Sequence, residues 1–540
     1  MRAPMALWFA PESYTEEERA VLSRYVTNLD GPVFALVNLP EVVKGALFAR
    51  YSRTAKPLRR LFLDEFAERV EEAGGTAEVG VARAERLYDR VFFEYGDDSV
   101  AQLGGVHLAC EQASQLLTKA IEWGRLAAYL EQSTRYMRYD DRPGGRWRVV
   151  VPPEIEGTPL ERGFADLVDL ACSTYGRLFG EMEAYYRDRF PKDPDDPESV
   201  YRSTITAKTC DTLRDLLPAA TRSNVGIYAT GQAYEQMLLR LRAHPLAEVR
   251  EYSDLMLAEL RKVIPAFLRR VDVEDRGVAW SRYLRETRER TEEVAARLLL
   301  GRASEPRPEV TLTDFDPEGE VKVVAAALYA VSDLPDDQLL EVARGMSEAE
   351  RAEVLRAYVG DRGNRRHKPG RAFERTGYRF DVLCDFGAFR DLQRHRMLTL
   401  EWQRLSTRHG YETPPEVEDA GLLPEWTEVM EASARTEGEL LAAGLPDAAQ
   451  YAVAMAYRIR FVVQMNAREA MHLTELRSQP QGHPVYRRVA QEMHRLIGEV
   501  HPAIGAAMSF VDHSRVELER LEAERRTEAK RRAMEGGSAR

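Results

Sequence analysis

The sequence predicts a mixed α/β fold in which helices predominate, arranged as two similar domains in tandem. Several long segments, such as 164–185, carry apolar residues at the three- and four-residue spacing of amphipathic helices. Segments with the composition of strands are fewer and short, and 148–151 and 378–384 are the better candidates. A chain of 540 residues is also too long for one ordinary core.

The boundary between the domains is expected in residues 301–320, which contain three prolines and few apolar side chains. This linker divides a first domain, 1–300, from a second domain, 321–513. Residues 514–540 form a charged tail, for which a solvated helix with a frayed end is the simplest interpretation.

Four further segments complete the predicted order of elements. Loops are expected at 191–197, which is rich in Asp and Pro, and at 360–370, which is unusually basic. Apolar runs predict helices over 382–392 and over 451–476. In the second of these helices the apolar residues surround most of the circumference, which predicts deep burial.

Short sequence words recur in the same order on the two sides of the boundary. One such pair could arise by chance, but four pairs in register argue for an internal duplication. The pairs are Ser-Thr-Arg at 133–135 and 406–408, Pro-Pro-Glu at 152–154 and 414–416, Leu-Arg followed by His-Pro at 241–245 and 476–484, and Pro-Ala at 265–266 and 502–503.

Composition and charge exclude several classes of protein. A formal net charge of -12 argues against a general nucleic-acid binder, because affinity for a phosphate backbone needs an excess of Lys and Arg. The four cysteines form no CxxC pair, which indicates neither a zinc knuckle nor a disulfide framework. No apolar run resembles a signal peptide or approaches the roughly 20 residues of a membrane helix. We therefore expect a soluble, cytoplasmic protein.

The densest chemical signal is the basic run Arg394, His395 and Arg396, which follows the apolar segment 382–392. Successive side chains on a helix point in different directions, so these three cannot all serve one surface ion pair. They can surround an anion such as a phosphate or pyrophosphate. The alternative is a solvated basic helix end that complements the helix dipole.

The second signal is the set of charged residues in the apolar run 451–476. Buried charge needs a partner or a charged ligand, so Arg468 forms an ion pair with Glu469 or Glu475 or else binds a ligand. Arg477 has no obvious acid on its stripe of the helix and is the better ligand candidate. Metal, phosphate-loop and nucleophile motifs are missing, so the chemistry is expected from a cofactor.

These words together resemble the flavin-dependent thymidylate synthases. The second half shows Arg-His-Arg at 394–396, Ser-Thr-Arg at 406–408, Asn-Ala-Arg at 466–468 and Leu-Arg at 476–477. The resemblance implies an α/β fold with a small, mostly antiparallel sheet in each half. It also implies that the enzyme converts dUMP to dTMP, with FAD as cofactor and NADPH and methylenetetrahydrofolate as co-substrates.

Carried over position by position, the resemblance implies roles for individual residues and predicts no metal ligand. The expected flavin contacts are Arg394, His395, Arg396, Asn466, Arg468 and His367. The expected contacts of dUMP are Glu131, Ser133, Arg135, Arg242, Ser406 and Arg408. Arg477 is expected to grip and polarise the nucleotide as the catalytic residue.

Each half departs from the family pattern at a different place. In the second half nine residues, rather than seven, separate Arg396 from Ser406. In the first half the nucleotide loop is intact, but Trp-Gly-Arg at 123–125 replaces Arg-His-Arg and Asp97 stands where an upstream His is expected. The losses are complementary, so we expect one composite site from both halves.

Two consequences follow for assembly and for the alternative function. Members of this family are tetramers with shared active sites, so two tandem chains are expected to form a dimer that imitates the tetramer. Because neither half keeps the full signature, a catalytically inactive nucleotide- or flavin-binding paralogue with a regulatory or scaffold role is the alternative.

Overall fold

The structure, a computed structural model, describes residues 12–31, 34–51, 56–67 and 102–537, so that Asp97 lies outside the described residues. The helices of these ranges, numbered in chain order, are α1 (Glu16–Tyr25), α2 (Glu41–Tyr51), α3 (Leu58–Phe62), α4 (Gln115–Glu122), α5 (Leu160–Arg189), α6 (Glu198–Leu213), α7 (Gly231–Arg242), α8 (Ala247–Leu260), α9 (Ala279–Leu298), α10 (Gly319–Tyr329), α11 (Asp336–Gly345), α12 (Glu348–Val359), α13 (Phe386–Leu392), α14 (Pro415–Asp419), α15 (Leu423–Ala442), α16 (Ala467–Arg477), α17 (Pro484–Val500), α18 (Pro502–Ala507) and α19 (Leu521–Gly537). The strands are β1 (Gly105–Ser114), β2 (Ala127–Glu131), β3 (Arg222–Thr230), β4 (Val310–Phe315), β5 (Gly377–Asp385), β6 (Thr399–Trp402) and β7 (Arg458–Asn466).

The strands form two small sheets with the orders β1-β3-β2 and β4-β5-β7-β6. In the second sheet every neighbouring pair is antiparallel. In each half the strand that comes latest in the chain, β3 or β7, lies between two earlier ones, so the order β5-β7-β6 repeats the order β1-β3-β2, and β4 is an additional edge strand. The predicted mixed α/β fold, rich in helix and with small antiparallel sheets, is confirmed.

The core of the second sheet is formed by β5 and β7, in which alternate residues point into the protein. Tyr378, Phe380 and Val382 of β5 are fully or almost fully buried. Phe461 of β7 packs its ring against Phe389 of α13, with 4.9 Å between the ring centroids. The strand predicted at 378–384 is therefore confirmed, because its period-two burial is the pattern expected of a sheet strand.

The single helix predicted over 451–476 is wrong. Residues 458–466 form β7, and α16 begins after Asn466, whose side-chain oxygen accepts a 2.9 Å hydrogen bond from the backbone N–H of Glu469. An apolar run that is buried on most sides looks alike in a buried strand and in a buried helix. The capping asparagine is the local signal that separates the two elements. Charged residues of the run 451–476 are consequently divided between two elements, with Arg460 on β7 and Arg468 on α16.

Two other predicted elements need correction. The predicted helix 382–392 is helical only from Phe386, because Asp385 caps α13 there by accepting a 2.7 Å hydrogen bond from the backbone N–H of Ala388. Residues 393–396 form a turn beyond this helix. The strand predicted at 148–151 is only an isolated bridge between Val149 and Thr221, because no neighbouring residue continues the pairing.

The long helix predicted around 164–185 is confirmed as part of α5. The loops predicted at 191–197 and 360–370 are also confirmed. Part of the predicted linker is a strand, because residues 310–315 form β4 and pair with β5 at the edge of the second sheet. Polar and apolar residues alternate over too few positions of β4 for the strand to be identified from sequence.

The chain divides into two compact units. The first comprises residues 1–110, 126–130 and 225–300, and the second comprises 111–125, 131–224 and 301–540. In the first unit α7 and α8 pack together, and Ser253 of α8 donates a 3.0 Å hydrogen bond to the carbonyl of Leu238. In the second unit α5 packs on both α6 and α15. None of the helices in the ranges given above is long and apolar enough to span a membrane.

The charged tail packs against the second unit at its beginning, contrary to the expectation of a solvated helix. Glu519 and Arg520 are both 5% exposed, and Lys208 of α6 donates a 2.7 Å hydrogen bond to Glu519. Arg525 of α19 donates to Asp196 at 2.6 and 2.8 Å. The charges of the tail have partners far away in the sequence, which composition cannot reveal.

Gly387, at the start of α13, provides a test of the packing around this helix. A Cβ atom at this position would lie 2.5 Å from Asp215 Oδ1 and 2.9 Å from Asp385 Oδ1, both in buried residues. We expect Gly387→Ala to lower the free energy of unfolding by roughly 1 to 3 kcal/mol, the usual cost of overpacking.

The matched control is Gly438→Ala in α15, where a Cβ atom would meet nothing within 4 Å. This substitution should raise the free energy of unfolding by about 0.5 to 1 kcal/mol, because alanine is the better helix former. Urea denaturation of both variants measures the two effects. Equal stability of the two variants would contradict the described packing around Gly387.

Candidate functional site

The second compact unit brings residues of both sequence halves into one cluster of charges. The loop 132–136, which follows β2, comes from the first half and carries Ser133 and Arg135. The turn 393–396, which lies between α13 and β6, comes from the second half and carries Arg394 and His395. Glu131, Arg135, Arg394, His395 and Arg477 are thereby linked through direct contacts or shared partners.

Glu131 is a buried carboxylate surrounded by cations from both halves. Its nearest partners are Lys119 of α4 at 3.1 Å, Arg390 of α13 at 3.2 Å and Arg394 at 3.8 Å. Burial alone would raise the pKa of Glu131, but these three cations outweigh it and hold the pKa at about 2. Glu131 is therefore ionised at neutral pH and joins the loop after β2 to the Arg-His-Arg turn.

Arg135 is held in a fixed orientation by residues from several elements. Its Nε and Nη2 groups donate to both carboxylate oxygens of Asp211 in α6, each at 2.6 Å. Its Nη1 group donates to the hydroxyl of Tyr486 in α17 at 3.0 Å. The side-chain oxygen of Ser133 accepts a 3.2 Å hydrogen bond from the backbone N–H of Arg135, which shapes the loop. A bidentate arginine of this kind is strongly oriented.

Arg477 and Arg135 approach the same aromatic ring. The guanidinium carbons lie 5.6 Å and 5.8 Å from the ring centroid of Tyr486, respectively. The Nη1 group of Arg477 is 3.7 Å from Asp391, beyond the length of a hydrogen bond, whereas Arg135 is bound in bidentate fashion. Arg477 thus has the less saturated guanidinium group of the two.

A chain of hydrogen bonds fixes the protonation of His395. Arg477 donates from Nε to His395 Nε2 at 3.0 Å, and His395 Nδ1 lies 3.0 Å from Glu469. Because Nε2 accepts a hydrogen bond, Nδ1 carries the proton and donates a hydrogen bond to Glu469. Burial lowers the pKa of His395 to about 4. The ring is consequently neutral at neutral pH.

The group formed by His395, Glu469 and His472 also has the residue types of a metal site. Its potential ligand atoms lie within 4.8 Å of one another. A histidine that binds a metal through Nδ1 needs an acceptor for its Nε2–H, but Arg477 presents a donor to that atom. The hydrogen bonds therefore favour the chain from Arg477 through His395 to Glu469 over a metal site.

Arg394 is paired inside the protein, whereas Arg396 is exposed. Arg394 hydrogen-bonds to Asp391, which also lies near Arg477. Burial would raise the pKa of Asp391, but Arg394 and the surrounding arginines hold it well below its usual range. The three basic residues lie in a turn beyond α13 and not on a helix, contrary to the helical setting from which their different directions were predicted.

The other residues predicted to contact flavin have structural partners. Asn466 caps α16, and Arg468 donates to the carbonyl of Pro369 at 3.0 Å and lies 3.4 Å from Glu374. His367 accepts a 3.1 Å hydrogen bond from the backbone N–H of Gly363 within the basic loop. Arg468 therefore pairs with neither Glu469 nor Glu475, which were the expected acids; Glu475 pairs with Arg362 at 2.6 Å.

The remaining predicted contacts of dUMP differ in their environment. Ser406 is buried and accepts a 2.7 Å hydrogen bond from Arg408, whose side chain is exposed. Arg242 belongs to the first compact unit, where it donates to Asp254 at 2.7 Å. Among the described residues of the second unit, Arg408 has none of the contacts to the Arg394 turn that Glu131 has.

Sequence reasoning missed the partners that organise the cluster. Lys119, Asp211, Arg390, Asp391 and Tyr486 are distant from the motifs or have no distinctive spacing. Only Asp391 could have been found, because it precedes Arg394 by three residues, the spacing of neighbours on a helix. The other four become neighbours of the motifs only in the tertiary structure.

His395 gives the stability of the protein a defined pH dependence. Between its usual pKa of 6.5 and about 4, the unfolded chain binds a proton that the folded protein does not bind. The free energy of unfolding is therefore unaffected by protonation of His395 above pH 6.5. It declines as the pH falls toward 4, by roughly 3 kcal/mol in total. We expect His395→Gln to remove this part of the dependence, as measured by urea denaturation between pH 7.5 and 4.5.

The control for this experiment is His367→Gln, because His367 is exposed. The control variant should keep the full decline in stability of the unmodified protein. An equally steep decline in the His395→Gln variant would show that another group causes the pH dependence.

Comparison with known proteins places the whole chain in one family. The family model described as thymidylate synthase complementing protein matches residues 46–266 and 311–503. A UPF0159 protein of Chlamydia muridarum is 40% identical over 525 residues, which cover 96% of this chain and 99% of the relative. A flavin-dependent thymidylate synthase of Clostridium tetani is 24% identical over 178 residues, which cover 32% of this chain and 66% of that protein.

Among solved structures, a UMP/dUMP methylase, PolB from Streptomyces cacaoi bound with 5-Br dUMP, is 19% identical to this chain with a TM-score of 0.30. The match covers 37% of this chain and 93% of that protein. The family model, in contrast, matches segments in both halves and most of the sequence. The chain therefore belongs to the thymidylate synthase complementing protein family.

Proposed function

We propose that the protein is a flavin-dependent thymidylate synthase that converts dUMP to dTMP. FAD, when bound, would carry the hydride, while methylenetetrahydrofolate supplies the one-carbon unit and NADPH the reducing equivalents. Family membership supports this proposal. We call residues 131–136 of the first half the nucleotide-like loop. The observation that carries the proposal is the contact between this loop and the segment of the second half that contains Arg-His-Arg, where Glu131 meets Arg390 and Arg394.

The basic loop beside the Arg-His-Arg turn fits an anionic cofactor. Burial lowers the pKa of Lys368, and the neighbouring Arg468 and Arg365 lower it further, whereas Glu469 and Glu475 act in the opposite direction. The loop thus brings three cations and two acids close together. Lys368, Arg468 and Arg365 would hold the pyrophosphate of FAD, and Arg396 would contact the same ligand.

The paired residues would act by positioning and not by direct contact with phosphate. Arg394 is engaged by Asp391 and Glu131, so its charge is already balanced within the protein. The neutral ring of His395 receives the Nε–H of Arg477 and thereby fixes the direction of that guanidinium group. Arg477, with its Nη groups less saturated than those of Arg135, would grip and polarise the nucleotide.

The nucleotide would therefore lie in a composite site built by both halves of one chain. The first half supplies Glu131, Ser133 and Arg135, and the second half supplies Arg394 to Arg396 together with Arg477. The shared strand order of the two sheets and the two matches of the family model support a tandem duplication. On this proposal the domains are 1–300 and 321–513, and two chains would imitate a family tetramer.

The proposed activity has a direct test. We expect the purified protein to bind FAD with the yellow colour of a flavoprotein and to release tritium from dUMP labelled at C5 in the presence of methylenetetrahydrofolate and NADPH. Expression should also allow a thymidine-requiring strain to grow without thymidine. Binding of FAD and dUMP without tritium release or growth would favour the catalytically inactive paralogue. A protein that binds neither ligand would contradict both functions.

The composite site predicts that dUMP binding depends on the first half. We expect Arg135→Ala to weaken dUMP binding by roughly 1 to 3 kcal/mol, because the bidentate bond of Arg135 to Asp211 holds the loop 132–136 in place and its loss leaves a buried carboxylate unsatisfied. Arg408→Ala should have a much smaller effect, since Arg408 is exposed. Calorimetric titration with dUMP measures both effects, at temperatures where circular dichroism shows each variant folded. The visible spectrum of bound FAD should be unchanged in both variants. The reverse order of the two effects would make the second half self-sufficient.

A further inference from the structure

The segment before α19 carries a buried arginine that the proposed site has not yet used. Arg520 follows the region matched by the family model, which ends at residue 503. Its side chain is buried within the second unit, and its guanidinium carbon lies 4.1 Å from the ring centroid of Tyr136. Tyr136 directly follows Arg135, so the tail reaches the nucleotide-like loop.

Arg520 shares one carboxylate oxygen with Arg135. Asp211 Oδ2 accepts a 2.6 Å hydrogen bond from Arg135 and lies 3.8 Å from Arg520 Nη2, which is too long for a hydrogen bond. The Nε and Nη1 atoms of Arg520 are buried and hydrogen-bond to no residue in the described part of the chain. Two donors of a permanently charged group are therefore unsatisfied.

A third arginine near Asp211 also has unsatisfied donors. Arg214 is buried, and its Nε and Nη2 atoms have no hydrogen-bond partner among the residues described. Arg135, Arg520 and Arg214 together lower the pKa of Asp211 well below its usual range, despite its burial. Asp215, 3.6 Å from Arg214, and Asp391 are further acids near these arginines, and burial raises the pKa of Asp215 to about 6. The feature that calls for an anion is therefore the set of unsatisfied guanidinium donors on Arg520 and Arg214.

Burying a guanidinium group without partners is costly, so the donors of Arg520 call for an anion. We propose that Arg520, delivered by the C-terminal segment, binds the phosphate of the nucleotide next to Arg135. The fork of Nε and Nη groups suits the oxygens of a phosphate monoester. The inference deepens the proposed function and rests on it for the identity of the nucleotide, while inorganic phosphate tests the anion site independently.

The second observation behind this proposal is how the tail is held in place. Lys208 binds Glu519 at 2.7 Å, directly before Arg520, and Arg525 binds Asp196 after it. These contacts on both sides hold the segment against α6 and the loop before it, without using the guanidinium group of Arg520. A removal of that charge alone should therefore leave the tail attached.

The test compares Arg520→Met with Arg526→Met, which removes the same charge from an exposed position of α19. Titration calorimetry would measure the binding of inorganic phosphate, dUMP and deoxyuridine to each full-length variant. We expect Arg520→Met to weaken phosphate and dUMP binding by roughly 10- to 100-fold, and to leave deoxyuridine binding unchanged. Arg526→Met should bind all three ligands like the unmodified protein.

Several outcomes would overturn the proposal. Unchanged phosphate and dUMP affinities in Arg520→Met would do so, as would an equal loss for dUMP and deoxyuridine, which indicates a structural role. If Arg520→Met does not fold, hydrogen exchange of the unmodified protein decides: phosphate should slow exchange at residues 515–525, and an unchanged rate refutes the site. Phosphate binding through Arg520 without dUMP turnover would support the site and refute the proposed enzyme.

Discussion

The candidate site depends on the burial of one carboxylate, that of Glu131. A buried carboxylate without cations would be very costly, so the protein must bring cations to it. Those cations come from separate parts of the sequence: Lys119 from α4, Arg390 from α13 and Arg394 from the turn beyond that helix. Their convergence fixes the loop after β2 against the Arg-His-Arg turn. The arrangement of both motifs is therefore a consequence of charge pairing.

The same constraint distinguishes the basic residues from one another. Arg394 and Arg135 are bound by Asp391 and Asp211, and their charges are largely used within the protein. Arg477 instead donates its Nε–H to the neutral imidazole of His395, and its Nη1 group lies beyond hydrogen-bond distance of Asp391. Such incomplete pairing of a buried cation leaves capacity for an anionic ligand. A sequence motif does not distinguish one basic residue from another. Their ion pairs in the structure show which of them can still bind an anionic ligand.

The tail illustrates how distant contacts change the meaning of a charged segment. A run of alternating acids and bases usually indicates a solvated helix, and most of α19 fits that description. At its start, however, Lys208 and Asp211 of α6 draw Glu519 and Arg520 into a buried position. The bonds of Arg525 to Asp196 extend the attachment. A segment outside the family match thus becomes part of the surroundings of the nucleotide-like loop.

Much of the fold followed from sequence, and the errors share one cause. The strand predicted at 378–384 is β5, and the duplication predicted from the repeated words fits the repeated three-strand order of the two sheets. The apolar run around β7 was mistaken for a helix, because a strand that is covered on its sheet faces loses the polar alternation that marks strands. The strand β4 was missed inside a proline-rich segment, since its pairing with β5 is a non-local contact.

The sequence by itself determined the mixed α/β class, the family resemblance and the identity of the basic motif at Arg394 to Arg396. These properties reside in residue types and short spacings, which are local. Only the tertiary structure decided that Glu131 of the first half meets this motif, that Asp391 pairs with Arg394, and that Asp211 pairs with Arg135. Ion pairing acts through space over a few ångströms, whereas its partners lie tens to hundreds of residues apart, so no local pattern encodes it.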